Sequence, residues 1–456
     1  MSVGSPRRVA RTVLGEVRTR GAWGSALLRT AIDTAGLDAR DAALATRLVY
    51  GTISAEGTLD EALDRHLSRP RRVHPLVRDI MRMAAYELLF ARTPAHAVVH
   101  DAVAAVRAAH PSSAGMANAV LRRVSEDVVS FPWGDPETDR DALARASAHP
   151  RWIVDLLFED LGPARARDML DAAREPAPLY VAVNPFLATL EAIVDEIAAL
   201  GVEVVEYGPP GCLHVSPSAP VLRSDVVSRG ACIVSDAAAQ LVATLAAPPP
   251  GGTAVDIAAG RGSKTVLMQS AALRAGGTAA ITASDIHPFK VEIVRERLDL
   301  LRVPDVTGVV ADATCEEAVE VIGGEGSADS VLVDAPCSNL GTLRRHPEKR
   351  WRLAPEEIES LASLGERMLR VASRLVRPGG FVVYSTCTVT RRENSDVVEA
   401  FLASDAGAEY STAPVHGRVP EGWEHWVTSE GWLQTHPVPG GPDGHFAAVL
   451  VRSVTR

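Results

Sequence analysis

Five short apolar runs, at 254–257, 280–284, 309–311, 331–333 and 381–384, are separated by stretches of helical periodicity, and this rhythm constrains the second half of the chain more than any other feature. Strand, loop, helix, strand in succession folds into a mostly parallel sheet covered on both faces, with ligands held at the carboxyl ends of the strands. Four of those strand ends carry an acid or a thiol.

The first half has a different rhythm. From Arg7 to about Asp127, apolar residues recur every third or fourth position (Val9, Val13, Val17; Leu76, Ile80, Ala84; Val99, Val103, Val106), which predicts an all-α domain. Gly21, Gly36, Pro70, Pro94 and Pro111 mark its inter-helix breaks. Residues 130–150, rich in Pro, Asp and Glu, read as a linker. The following stretch mixes helices (152–161, 190–200) with short strands (179–183, 202–206), as in a small α+β module. At roughly 150 residues per domain, the 456 residues make about three units, which we place at 5–130, 146–229 and 230–456.

The net charge of −10 argues against a polyanionic partner until its distribution is considered: residues 1–131 carry +5 and the remainder −15. Any RNA affinity is therefore expected to lean on the first segment. The N-terminus lacks the apolar run of a secretory signal, and no apolar stretch reaches the roughly 18 residues needed to span a bilayer, so a cytoplasmic protein without membrane contact is expected. The five cysteines are widely spaced with no CxxC pair, which indicates neither a disulfide framework nor a metal site. No coiled-coil heptad calls for obligate association, so a monomer is expected.

The strand ends hold the chemistry. After 254–257 comes Asp256-Ile-Ala-Ala-Gly-Arg-Gly-Ser-Lys-Thr265, a small-residue turn into a helix that lets a ligand approach the backbone. It is neither a Walker A loop nor GxGxxG, and an ordinary βα turn accounts for it nearly as well. Asp285 and Asp312 end the next two strands, and a carboxylate at the second strand end suits a ribose diol. The last two strands end in Asp334-Ala-Pro-Cys-Ser338 and Ser385-Thr-Cys-Thr388, with Glu393-Asn394 opening the next helix. A lone cysteine is usually a small buried hydrophobe, and Cys212, Cys232 and Cys315 are read that way. Cys337 and Cys387, in polar turns at the ligand edge, are instead candidate nucleophiles.

These paired turns, together with GTLRRHPEKRW at 341–351, resemble the Sun-type ribosomal RNA small subunit methyltransferase B family, within the RNA cytosine-5 methyltransferases. The resemblance covers nearly the whole chain. It implies a NusB-like RNA-binding helical domain, visible at 47–52 and 118–123, then a small α+β RNA-recognition module, then a Rossmann-like catalytic domain. It further implies S-adenosyl-L-methionine as cofactor and 16S ribosomal RNA as substrate. On matching positions, Cys387 is the nucleophile, Cys337 the thiol that helps release product, and Asp334 a contact to base and cofactor. Ala258, Ala259, Gly260, Arg261, Gly262, Ser263 and Lys264 form the cofactor loop, with Lys264 also reaching the catalytic centre. Asp285 holds the ribose and Asp312 faces the adenine. No metal is implied.

The chain departs from the family in places. Its loop lacks the usual AAPGGKT, with Arg261 for the proline and Ser263 for the second glycine. Asn339 stands where glycine is usual, Ser235 replaces a glutamine and Ala182 an arginine. Arg344, Arg345, His346 and Arg350 are candidates for the RNA backbone, with a solvated basic loop the equal alternative. Two other readings stay open: a non-catalytic RNA-binding factor with a decayed methyltransferase fold, and a DNA cytosine methyltransferase, which would need its nucleophile in the first cysteine turn.

Overall fold

The computed structural model describes residues 5–20 and 24–454, so the break expected at Gly21 lies outside the described residues. The chain divides into two compact units: one runs to Leu156 and includes His346–Arg352, and the other comprises Leu157–Arg345 and Leu353–Arg456.

The first unit is helical, from Pro6–Arg20 through Ala39–Ser54 and Pro75–Leu89 to Ala114–Asp127. Val9, Val13 and Val17 are buried against Leu48 and Val49, and Ile80 and Ala84 against Val98 and Leu121, so the apolar stripes face inward. The breaks work as expected: Gly36, at φ +62°, follows the helix Gly24–Ala35, and Pro94 precedes Ala95–Ala109. Residues 130–150 correct the linker reading. They contain the helix Arg140–Ser147, capped by the Asp139 carboxylate, and Phe131 and Trp133 pack edge to face at 5.3 Å against the helical core. Aromatic burial outweighs the local turn propensity of Pro, Gly and Asp there.

The second unit holds two sheets. The smaller is antiparallel in the order β2-β3-β1-β4: β1 Leu179–Val183, β2 Glu203–Glu206, β3 Cys212–Ser216 and β4 Cys232–Val234. The larger contains β5 Thr253–Ile257, β6 Ala280–Asp285, β7 Val306–Val310, β8 Ala328–Asp334, β9 Val376–Thr386, β10 Tyr410–Ala413, β11 Leu433–Gln434 and β12 Phe446–Arg452. Its order is β10-β12-β9-β8-β5-β6-β7, with β11 paired to β12. β7 through β9 are parallel as expected, whereas β10, β11 and β12 add an antiparallel edge that the strand-helix rhythm does not predict. The third predicted strand sits earlier than expected and ends at Val310, not Ala311.

The sheet order positions the site. β5 lies between β8 and β6, where the order reverses, so the turn after Ile257 opens on the topological switch point, the crevice in which such sheets bind ligands. The register pairs Asp334 with Ser385, which sets the two cysteine turns side by side. The smaller sheet is tied to this scaffold by Asn184, whose buried amide donates to the carbonyls of Gly230 and Leu301.

Candidate active site

Three turns converge at the carboxyl edge of the large sheet. In the first, Ala258, Gly260 and Gly262 all adopt positive φ, near +58°, +60° and +72°, a curl that favours glycine. A Cβ added to Gly260 would meet only the Ala258 carbonyl oxygen at 3.8 Å, so the backbone is open on that side to an incoming group. The Gly260 N–H donates to Asp285 Oδ2 at 3.1 Å, and the His287 N–H to Oδ1 at 2.9 Å. Lys290 Nζ reaches Oδ2 at 3.3 Å. Asp285 is thus buried and oriented, with acceptor capacity left on Oδ1. These features fit a nucleoside cofactor: an open backbone cradle beside a fixed carboxylate.

The two departures in this turn find a local partner. Arg297 donates from Nη1 to both the Arg261 carbonyl oxygen and the Ser263 hydroxyl, each at 2.8 Å, while Arg261 itself is exposed. Asp312 is also exposed and engages Thr314 and Cys315 of its own turn. Hydrogen bonds from the Thr314 hydroxyl and backbone hold its carboxyl below the usual range.

Lys264 bridges the first turn to the second. Its Nζ lies 2.8 Å from Asp334 Oδ2, and Asp334 Oδ1 accepts from the Ser385 hydroxyl at 3.2 Å. Burial draws the Lys264 ammonium down, but Asp334 more than offsets this and leaves it above the ordinary lysine value. Beneath them Asp256 is fully buried: Oδ2 accepts from the Thr265 hydroxyl at 2.5 Å, and Oδ1 has no partner among the described residues. Burial pushes its carboxyl up to about 7.

The second and third turns bring the thiols together. Cys337 Sγ and Cys387 Sγ are 3.2 Å apart, and the Cys387 N–H donates to Cys337 Sγ at 3.3 Å. Cys337 is buried and Cys387 half-buried. The hydrogen bond to Cys387, followed by burial, pushes the Cys337 thiol well above its usual range. The Asn339 amide nitrogen lies 2.9 Å from Cys387 Sγ.

Glu393 locks the two turns. Its buried carboxylate accepts from the Ser338 N–H and hydroxyl and from the Thr390 hydroxyl, all at 2.7 Å. Asn394 accepts from Thr386 at 2.6 Å and donates to the Thr388 carbonyl. Glu393-Asn394 stands out in the sequence, but this bracing does not follow from spacing. The contact of Asn339 with Cys387 is not legible either, since it joins two turns 48 residues apart in the chain.

The structure overturns the expectation for Arg344, Arg345 and Arg350 of the basic segment, while His346 is half-buried. The Arg344 side chain is 2% exposed and paired with Asp443 at 2.6 Å. Arg345 is bound to Asp443, to Asp236 and to the Pro178 carbonyl. Arg350, 1% exposed within the helical unit, donates to the Ala148 carbonyl oxygen at 3.0 Å. These arginines are neither a solvated loop nor an exposed RNA contact, because each found a buried acceptor. Cys315 also departs from its expectation: it is exposed, whereas Cys212 and Cys232 are buried.

Residues 243–451 match the family model for 16S rRNA methyltransferase RsmB/F, and residues 5–126 match the NusB family. The chain is 32% identical to the ribosomal RNA small subunit methyltransferase B of Xylella fastidiosa, over 99% of both chains. It is 29% identical to the protein of that name from Pseudomonas syringae, over 98% of this chain and 97% of the relative. Among solved structures, PH0851 shares the fold over 99% of both chains, with a TM-score of 0.81 at 24% identity. NSun6 from Pyrococcus horikoshii does so over 67% of this chain and 99% of its own, with a TM-score of 0.56 at 18% identity.

Proposed function

Since the chain belongs to the 16S rRNA methyltransferase RsmB/F family and opens with a NusB-family domain, we propose that it methylates carbon 5 of a cytosine in 16S ribosomal RNA through a covalent adduct with Cys387. The observation that carries this reading is the thiol pair, 3.2 Å apart and braced beside the Lys264–Asp334 ion pair. C5 of cytosine is too electron-poor to take a methyl group unaided. When bound, S-adenosyl-L-methionine supplies that methyl group as an electrophile; residues 258–264 with Asp285, Asp312 and Asp334 would hold it.

The protein's own residues do the rest. The target base is unstacked from the RNA, since C5, C6 and N3 are not all reachable inside a helix. The Cys387 thiolate adds to C6, an acid assists at N3, and the electron pair thus made available at C5 takes up the methyl group. A base then removes the C5 proton, the C6–sulfur bond breaks and the thiolate is regenerated, with Cys337 assisting release. Asp334, fixed by Lys264 and Ser385, contacts the base.

RNA engagement falls to residues 5–130 and 146–229, and the chemistry to 230–456. Many arginines of the helical unit are tied to acids, among them Arg7 to Glu87 and Arg82 to Asp60. A groove of about 440 Å³ between the helices Ala95–Ala109 and Ala114–Asp127 is different: it presents His96, His100, Arg107, Asn118 and Arg122, with no acid in its lining. That supports phosphate contact on this unit.

The test is incubation with labelled S-adenosylmethionine and unmodified small-subunit RNA, followed by bisulfite sequencing. One new 5-methylcytosine, lost in Cys387→Ala and trapped as a protein–RNA adduct in Cys337→Ala, is the expected outcome. Undiminished methylation by Cys387→Ala would remove the nucleophile assignment. Absence of both methylation and cofactor binding by calorimetry would favour the non-catalytic RNA-binding reading.

A further inference from the structure

We propose that Asn339 is a positioning residue for the nucleophile: its side-chain amide donates to Cys387 Sγ, fixes the sulfur and favours the thiolate over the thiol. The inference rests on the reading of Cys387 as nucleophile and adds to it a residue from the neighbouring turn.

The geometry permits asparagine here at little strain. Asn339 sits in the left-handed region, at φ 60° and ψ 22°. Asparagine tolerates that conformation better than other residues with a side chain, so it can stand in for glycine there. What it adds is an amide 2.9 Å from Cys387 Sγ. Only the NH2 end suits that position, because the oxygen end would set an acceptor against a sulfur that must carry negative charge. A hydrogen bond to a charged acceptor is stronger than one to a neutral acceptor, so the contact stabilises the thiolate selectively.

Asn339 works within a defined set of neighbours. Lys264, from the helix Ser263–Arg274, is the cation whose field reaches Cys387, and Asp334 at the end of β8 partly neutralises it. Cys337 Sγ, 3.2 Å from the same sulfur, can donate to it once Cys387 is a thiolate. The contact with Cys387, then burial, and then the charge of Glu393 push the Cys337 thiol up. Two donors therefore converge on one sulfur, and in this chain one of them is the residue 339 amide.

The experiment follows the rate of Cys387 alkylation by iodoacetamide as a function of pH, read by peptide mass spectrometry on the full-length protein, in wild type, Asn339→Gly and Asn339→Asp. Glycine keeps the backbone conformation and removes the amide; aspartate keeps the shape and replaces the donor with a negative acceptor. The midpoint should rise by about one pH unit in Asn339→Gly, which is about tenfold less thiolate below the midpoint, and further in Asn339→Asp. Methylation kcat should fall in step while KM for RNA holds. A midpoint unchanged in Asn339→Gly, with that variant folded by circular dichroism, overturns the proposal. A rise in KM alone also overturns it, placing Asn339 in RNA binding. Failure of the underlying reading is seen separately, as full methylation by Cys387→Ala whatever the alkylation midpoints are.

Discussion

Single residues at this sheet edge are set by what surrounds them, and Asp256 shows it most directly. It is a fully buried carboxyl with one oxygen bonded to Thr265 and the other without a partner among the described residues, close to Asp334 and Asp285. Its folded value near 7 lies above that of an unfolded aspartate near 3.8, so the folded state binds its proton more tightly. The resulting stability is fully present below the unfolded value and is lost as pH rises through 7. Asp256→Asn mimics the protonated form. The variant should therefore melt above wild type at pH 8.5, with the gap closing towards pH 5, in thermal unfolding followed by circular dichroism. A gap that does not vary with pH would show that Asp256 does not titrate in this range.

Elements act here through their ends. β8 and β9 are central parallel strands, and the functional groups lie in the residues just beyond them, held in register by the Asp334–Ser385 pairing and by the Glu393 lock. Gly341 shows how closely the backbones approach: a Cβ there would lie 2.1 Å from the Gly444 carbonyl oxygen. Glu393→Gln places an NH2 group where three donors converge on a carboxylate, so one of them loses its acceptor. Leaving a buried donor unsatisfied costs about 1–3 kcal/mol. The expected result is a lower urea midpoint and a loss in kcat larger than any change in KM for RNA. Unchanged kcat would mean that the turns hold their spacing without the lock. The helix Pro355–Leu375 fills the helical stretch expected between the last two parallel strands, whereas β3, β4 and β10–β12 are not among the elements set out from the sequence. Short strands whose partners are remote in sequence carry little local signal, because their stability comes from cross-strand contacts.

At the scale of the whole molecule, the helical unit is assembled from two separate stretches of chain. Trp351 donates from Nε1 to the Ser54 carbonyl oxygen at 2.8 Å, and its ring lies so close to Gly57 that a Cβ there would be 2.2 Å from it. Trp351→Ala removes that ring and bond at a cost of about 2–3 kcal/mol, below the range for a fully buried tryptophan because this one is half-buried. Hydrogen exchange should accelerate across 39–64, while the protection of β5 and β8 holds. Equal loss of protection in both would argue that the effect is not local to the helical unit. The sequence by itself determined the helical first segment, the parallel strands and the strand ends at which Asp285, Asp312, Asp334, Cys337 and Cys387 stand, because periodicity and turn chemistry are local properties of the chain. Only the tertiary structure decided that Arg344, Arg345 and Arg350 are tied to buried acceptors rather than offered to RNA, that residues 130–150 fold onto the helices, and that Asn339 meets Cys387. Each of those outcomes depends on a partner far away in sequence, whose position is set by sheet register and packing, and no local pattern encodes that.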